Sequence, residues 1–143
     1  MKEIHILLVE DNEGDIVLTL EALSDARIVN KISVARDGQE AIHFLKKQKG
    51  FQHCLTPDLI LLDINLPKID GMEVLAVIKN DLDLKRIPVI MLTTSSSEKD
   101  ILASYDRHAN CYITKPVDLT MFMNVIRTIE DFWISIVKLP KTA

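Results

Sequence analysis

The chain has 143 residues, of which 48% are hydrophobic and 27% charged, a balance typical of one globular domain. Its formal net charge of -4 argues against a dedicated nucleic-acid binder, whose contact surface would be basic. No apolar run is long enough to span a bilayer, and no signal-peptide pattern opens the chain, so a cytoplasmic protein without membrane contact is expected. Cys54 and Cys111 form no C-x-x-C pair and are interpreted as reduced thiols.

Short apolar segments alternate with segments of helical periodicity along the whole chain. The apolar segments predict strands at residues 4–9, 31–36, 59–63, 87–92 and 110–114. Apolar residues at helical spacing predict a first helix over 14–26, and residues 46–57 read as a polar connector.

The remaining helices are predicted from their capping residues and inner faces. Capping pairs three residues apart begin the second, third and fourth helices: Asp37 with Glu40, Asp70 with Glu73, and Ser95 with Glu98. Asp118 begins the last helix. The predicted inner positions, in chain order, are Ala41, Ile42, Leu45, Leu75, Ile78, Ile101, Leu102, Tyr105, Phe122, Val125, Ile126, Ile129 and Trp133.

Strands that alternate with helices predict an α/β fold with a parallel sheet. Right-handed crossovers leave few topologies for such a chain. We therefore expect a flavodoxin-like, doubly wound, five-stranded sheet of order 2-1-3-4-5 with helices on both faces. The expected organisation is a single domain over 1–143, with a core at about 4–131 and a C-terminal helical extension at about 132–143.

The stretch 58–71 organises this prediction. Four consecutive aliphatic residues, 59–62, lead directly into Asp63, after which Pro67 and the pair Asp70-Gly71 break the strand. Asp63 is therefore expected at the C-terminal tip of a central strand, where ligands of open α/β sheets bind.

The other predicted strands end in residues that suit the same site. The first ends in Glu10-Asp11, the fourth in Thr93 and the fifth in Lys115. Three close carboxylates repel, and a hard divalent cation such as Mg²⁺ relieves that repulsion. A carboxylate can accept a phosphoryl group, and phosphoryl transfer depends mainly on positioning and charge neutralisation. The set thus predicts that Asp63 accepts a phosphoryl group, with Thr93 donating to it and Lys115 neutralising it.

This combination resembles the receiver domain of two-component response regulators, the CheY-like superfamily, over about residues 4–131. The resemblance implies direct Mg²⁺ ligation by Asp11 and Asp63, a third ligand from the backbone carbonyl of Asn65, and a contribution of Glu10 through water. It also implies that Thr93 and Lys115 hold the phosphoryl group, that Thr93 and Tyr112 form a switch, and that the Lys115-Pro116 bond is cis.

A closer resemblance lies in the stretches 88–94, 103–106, 108–119 and 130–133 and in Leu139-Pro140. These are similar to single-domain regulators that are paired with bacterial phytochrome-type histidine kinases. The resemblance implies a sensor histidine kinase as phosphodonor. Because no output domain follows the last helix, the expected output is a phosphorylation-dependent contact with a downstream protein.

Two other functions remain open from the residues alone. One is a Mg²⁺-dependent phosphatase with an aspartate nucleophile, as in haloacid-dehalogenase-like enzymes. Those enzymes place a general-acid Asp two residues after the nucleophile, where this chain has Asn65. The other is a protein-binding module that does not depend on phosphorylation, although such modules usually lose an acceptor or metal residue that this chain keeps.

The C-terminal stretch is unusually apolar. Phe132, Trp133 and Ile134 are consecutive and point in three directions about a helix axis, so one domain face cannot bury them all. An exposed apolar patch usually marks an interface, which predicts a homodimer through Phe132, Trp133, Ile136 and Val137. The alternative is that the tail folds back over its own domain.

Overall fold

The computed structural model describes residues 3–94 and 111–128 and contains the predicted parallel sheet. Its strands are β1 (Ile4–Val9), β2 (Val29–Ala35), β3 (Leu59–Asp63), β4 (Val89–Thr93) and β5 (Cys111–Thr114). They lie in the order β2-β1-β3-β4-β5, and every neighbouring pair is parallel. The predicted topology is confirmed.

Four helices connect or follow these strands within the described residues: α1 (Glu13–Leu23), α2 (Gly38–Leu45), α3 (Gly71–Lys79) and α4 (Leu119–Thr128). Residues 95–110, which include the predicted fourth helix with its Ser95 and Glu98 cap, lie outside the described residues. None of the described helices is long and apolar enough to cross a bilayer.

The strands bury side chains on both faces, as expected of a parallel sheet between helices. On one face, Ile16 and Leu23 of α1 and Phe122 and Ile126 of α4 pack against the sheet. On the other face, the sheet packs against apolar residues of α2 and α3, namely Ala41, Phe44, Leu45, Val74, Leu75 and Ile78. Two hydrophobic layers therefore hold the central strands rigidly from both sides.

Local capping contacts fix where three helices begin. Asp37 Oδ1 accepts from the backbone N–H of Glu40 at 2.8 Å, and Asp118 Oδ1 accepts from that of Met121 at 2.7 Å. At α3, Asp70 and Glu73 form the complete predicted capping box.

Several predicted boundaries differ from the structure by a few residues. The first helix was predicted to reach Ala26 but ends at Leu23, because Ser24 turns its backbone N–H and its hydroxyl to the Glu21 carbonyl. β2 begins at Val29, ahead of the predicted start, because Val29 already pairs with Ile4 of β1.

Candidate functional site

An acidic cluster lies at the C-terminal edge of the sheet, where β1 and β3 end side by side. Glu10, Asp11 and Asp63 each offer a carboxylate oxygen, and these oxygens lie within 4.8 Å of one another. Glu10 has no exposed surface and Asp63 is 2% exposed, whereas Asp11 is exposed to solvent. Two carboxylates of the cluster are therefore buried, and the third lies at the protein surface.

Backbone groups orient the two buried carboxylates. The N–H of Asn12 donates to Glu10 Oε2 at 3.3 Å, and the N–H of Asn65 donates to Asp63 Oδ1 at 3.2 Å. Each donor lies two residues beyond its acceptor, in the loop that leaves the strand. The loops themselves therefore hold the carboxylates in place.

Gly71 allows the loop after β3 to return close to the phosphoacceptor candidate. A Cβ atom at this position would lie 2.3 Å from the backbone carbonyl oxygen of Asp63 and 2.7 Å from Ile64 Cα. The Gly71 N–H donates to the carbonyl of Ile64 at 3.0 Å, which closes the loop. Only glycine permits this close approach.

Lys115 brings a positive charge into the cluster from β5. Its backbone N–H donates to the Thr93 carbonyl at 2.7 Å, and its peptide bond to Pro116 is cis, as predicted. Its Nζ atom lies 3.2 Å from Glu10 Oε1 and 3.4 Å from Asp63 Oδ2. The Lys115 side chain is only 10% exposed, so its ammonium is held inside the site.

The site contains a third carboxylate partner of Lys115 that the sequence interpretation missed. Asp15, in the first turn of α1, places Oδ2 3.0 Å from Lys115 Nζ, and its side chain is 33% exposed. It lies four residues after Asp11, and the first turn of α1 directly follows the loop that carries Asp11. This closeness in sequence to Glu10-Asp11 was the signal that could have indicated it.

These contacts shift the pKa values of Glu10 and Lys115. Burial, followed by the hydrogen bond and the charge of Asp63, raises the pKa of Glu10 to about 7, although Lys115 opposes this shift. Burial disfavours the charged ammonium of Lys115. The hydrogen bond to Asp15 and the charges of Asp63 and Glu10 outweigh that effect and raise the pKa of Lys115 above its ordinary value.

Thr93 is the last residue of β4 and is fully buried. Its Oγ1 atom has no hydrogen-bond partner among the residues that the structure describes. A buried hydroxyl without a partner is costly, so this atom is available to a ligand at the strand ends.

The structure brings together Glu10, Asp11, Asp63, Thr93 and Lys115, as predicted. Tyr112, in the middle of β5, is half-buried and packs against the hydrophobic layer between the sheet and helices α2 and α3. The predicted interface residues lie outside the described residues: Phe132, Trp133, Ile136 and Val137.

The donor set fits a hard divalent cation. All three groups of the acidic cluster offer carboxylate oxygens, which Mg²⁺ and similar ions prefer over nitrogen or sulfur ligands. Because the Asp11 carboxylate is exposed, a bound ion could keep several water ligands, as Mg²⁺ usually requires.

Comparisons with known proteins agree with this geometry. Residues 6–127 match the response regulator receiver domain. The response regulator Rcp1 of Synechocystis is 49% identical over 135 residues, which are 94% of this chain and 92% of Rcp1. Two solved structures are also similar: the phosphorylated cyanobacterial phytochrome response regulator RcpA and the Mn²⁺-bound form of Rcp1.

RcpA has a TM-score of 0.76 at 49% identity, with coverage of 97% of this chain and 99% of that one. Mn²⁺-bound Rcp1 has a TM-score of 0.74 at 48% identity, with coverage of 96% and 99%. The receiver-domain match covers most of the sequence and includes every strand end that forms the site. The chain therefore belongs to the receiver domain family of response regulators.

Proposed function

We propose that Asp63 is the phosphoacceptor of this response regulator. The observation that carries the proposal is its position: a buried carboxylate at the tip of the central strand, 3.4 Å from the ammonium of Lys115. A carboxylate oxygen of Asp63 attacks the phosphorus of a phosphohistidine, and the P–N bond breaks as the new P–O bond forms. The protein catalyses this transfer to itself, and water later removes the phosphoryl group.

The surrounding side chains position and neutralise the phosphoryl group. Lys115 pairs with a phosphoryl oxygen, and the buried Thr93 hydroxyl donates to another. Tyr112 and Thr93 lie on neighbouring strands, with Tyr112 paired to Met91 and Thr93 to Thr114. We propose that these two side chains transmit the change at Asp63 to the surface near β4 and β5.

We further propose that the divalent ion is Mg²⁺. Asp11, Asp63 and the backbone carbonyl of Asn65 would hold it directly, and Glu10 would act through a bound water. When bound, Mg²⁺ offsets the negative charge that builds up around the phosphoryl oxygens. The support is the cluster of Glu10, Asp11 and Asp63 carboxylates, together with the backbone N–H of Asn65, which orients Asp63.

Receiver domains of this kind receive the phosphoryl group from sensor kinases, and relatives of this chain are phytochrome response regulators. We propose a phytochrome-type histidine kinase in the cytoplasm as its donor and an unidentified protein as its downstream target. We also propose that residues 1–143 form one receiver unit with its core at about 4–131. Family membership disfavours the phosphatase and phosphorylation-independent alternatives, and the amide of Asn65 is not acidic enough to act as the general acid of the phosphatase mechanism.

The proposal predicts that the protein gains one acid-labile phosphoryl group and that this gain depends on Asp63. The wild-type protein with Mg²⁺ and acetyl phosphate should gain a single phosphoryl group, detected by intact-protein mass spectrometry. Asp63→Asn should gain none, because an amide is a far poorer nucleophile than a carboxylate. Asp58→Asn provides a matched control at the opposite end of the same strand region and should still be labelled. Labelling of the Asp63→Asn protein would contradict the proposal.

We also propose that the chain forms a homodimer through Phe132, Trp133, Ile136 and Val137. The support is the consecutive apolar sequence near the C-terminus, which one face of one domain cannot cover. A two-fold symmetric pair is the commonest arrangement for such a surface.

A further inference from the structure

Asp15 contacts the site without belonging to the acidic cluster that fits a metal ion. Its Oδ2 atom lies 3.0 Å from Lys115 Nζ, the shortest of the three distances between that ammonium and a carboxylate. The cluster of mutually close carboxylate oxygens consists of Glu10, Asp11 and Asp63. Asp15 is therefore placed to act on Lys115 rather than on a bound ion.

A lysine ammonium has three N–H donors, and here three carboxylates surround it. Asp15 Oδ2 lies 3.0 Å from Lys115 Nζ, Glu10 Oε1 lies at 3.2 Å and Asp63 Oδ2 lies at 3.4 Å. Glu10 directly follows β1 and Asp15 lies in α1, so these two acceptors are positioned by separate elements. Together they leave the third N–H directed toward Asp63 and the phosphoryl group that it would carry.

Lysine has a long stem whose rotamer freedom must be lost if the ammonium is to stay in one place. A charge-assisted hydrogen bond that the ammonium donates to a partly buried carboxylate restricts that freedom. Preorganised charge at the position where negative charge develops lowers the barrier of phosphoryl transfer.

We propose that Asp15 is a positioning residue for phosphoryl transfer: its carboxylate accepts from Lys115 and holds the ammonium ready for the phosphoryl group on Asp63. This inference rests on the proposed function of Asp63 as phosphoacceptor. Asp15 acts through Lys115 and touches neither the phosphorus nor the metal ligands.

Glu13 provides a matched control on the same helix. It also lies in the first turn of α1 and carries the same charge, but its side chain is 67% exposed and pairs with Arg36. Its removal changes the charge near the site by the same amount as removal of Asp15, without a contact to Lys115. A comparison of the two positions therefore separates positioning from bulk charge.

The experiment measures phosphorylation by phosphoramidate at saturating Mg²⁺, with the maximal rate and the half-saturating donor concentration determined separately. Asp15→Ala should lower the maximal rate about tenfold, the loss expected for one hydrogen bond between charged groups. Asp15→Asn keeps an oxygen acceptor and should stay within about threefold of wild type. Glu13→Ala should keep the wild-type maximal rate. Thermal melting of each variant verifies that it is folded.

Mg²⁺ titration supplies a readout that does not depend on turnover. The Mg²⁺ affinities of Asp15→Ala and Glu13→Ala should agree within about twofold, whereas Asp11→Ala should weaken binding at least about tenfold. Loss of Mg²⁺ affinity in Asp15→Ala comparable to that in Asp11→Ala would assign Asp15 to the metal and overturn the inference.

Three kinetic outcomes would also overturn it: an unchanged or faster rate in Asp15→Ala, equal slowing in Asp15→Asn and Asp15→Ala, or equal slowing in Glu13→Ala. If the wild-type protein is phosphorylated on Asp63 and one of these outcomes occurs, only the proposed role of Asp15 fails, and the proposed function of Asp63 stands. If Asp63 takes no phosphoryl group in the wild-type protein, the proposed function fails and the inference fails with it.

Discussion

Among single residues, Glu10 is a carboxyl group of the metal-free site whose pKa lies near neutral pH. Its pKa is raised from 4.5 to about 7 by burial and by Asp63, so the folded protein binds a proton there that the unfolded chain releases at lower pH. The stability from this group is fully present below pH 4.5 and is lost as the pH rises through 7.

We therefore expect the contribution of Glu10 to the stability of the metal-free protein to fall between pH 5 and pH 8, while the lowered pKa of His5 acts in the opposite direction. Glu10→Gln, which cannot ionise, should remove most of that decrease and stabilise the protein at pH 8 by at least about 1 kcal/mol. Urea unfolding in the presence of a chelator measures both effects. Glu13→Gln, at an exposed position, should keep the wild-type pH profile. A Glu10→Gln protein with an unchanged pH profile would contradict the assignment.

The residues that could be predicted from the sequence are those whose position follows from the end of a strand. Asp63 follows four buried aliphatic residues, and Glu10 and Thr93 follow or close similar runs. Lys115 follows the shorter, half-buried β5, so topology places all four at one edge of the sheet. Asp15 could not be placed in this way. Its contact with Lys115 joins residues separated by 100 positions and depends on how α1 is oriented against the sheet.

At the level of elements, helix starts were predicted better than helix ends. A capping box joins residues three apart, so the sequence already contains both partners, as at Asp70 and Glu73. The end of α1 depends instead on a turn at Ser24 that no apolar periodicity reveals. Likewise, β2 starts at Val29 because its neighbour β1 extends that far.

The junction of β3 and α3 yields a prediction of its own. Gly71→Ala should destabilise the protein by about 2 kcal/mol or more, because the added Cβ would meet the Asp63 carbonyl oxygen at 2.3 Å. The same substitution should slow phosphorylation by shifting Asp63. Urea unfolding and the phosphoramidate assay measure the two effects.

Gly14→Ala is the matched control in α1. Its Cβ would meet the side-chain oxygen of Asn12 at 3.2 Å, and alanine favours a helix over glycine, so its stability should stay within about 1 kcal/mol of wild type. If the Gly71→Ala and Gly14→Ala proteins were equally stable and equally active, the close approach at Gly71 would have no functional importance.

At the level of the whole molecule, the sheet order was predictable because crossover handedness leaves few arrangements for alternating strands and helices. The homodimer that the sequence predicts stays a prediction, because an interface depends on which apolar residues remain uncovered after folding. The segment that bears on this question, with Phe132 and Trp133, lies outside the described residues.

The dimer proposal predicts a mass of two chains at micromolar concentration in sedimentation experiments. Phe132→Asp and a chain that stops after Asp131 should both be monomeric, since each removes part of the apolar surface. Leu55→Asp, which replaces another exposed apolar residue, should still dimerise. A monomeric wild-type protein, with and without phosphorylation, would refute the proposal, and a truncated chain that still dimerises would place the interface elsewhere.

The clustering of carboxylates has a consequence for the electric field around the molecule. When ionised, Glu10, Asp11, Asp15 and Asp63 outnumber the single Lys115 by three charges, while the whole chain has a formal net charge of -4. The rest of the sequence therefore carries a net charge of only -1. Excess negative charge at the site attracts cations and can orient an approaching protein before contact. Such long-range guidance weakens as ionic strength increases, so the rate of encounter with a partner depends on salt even where the final contacts are apolar.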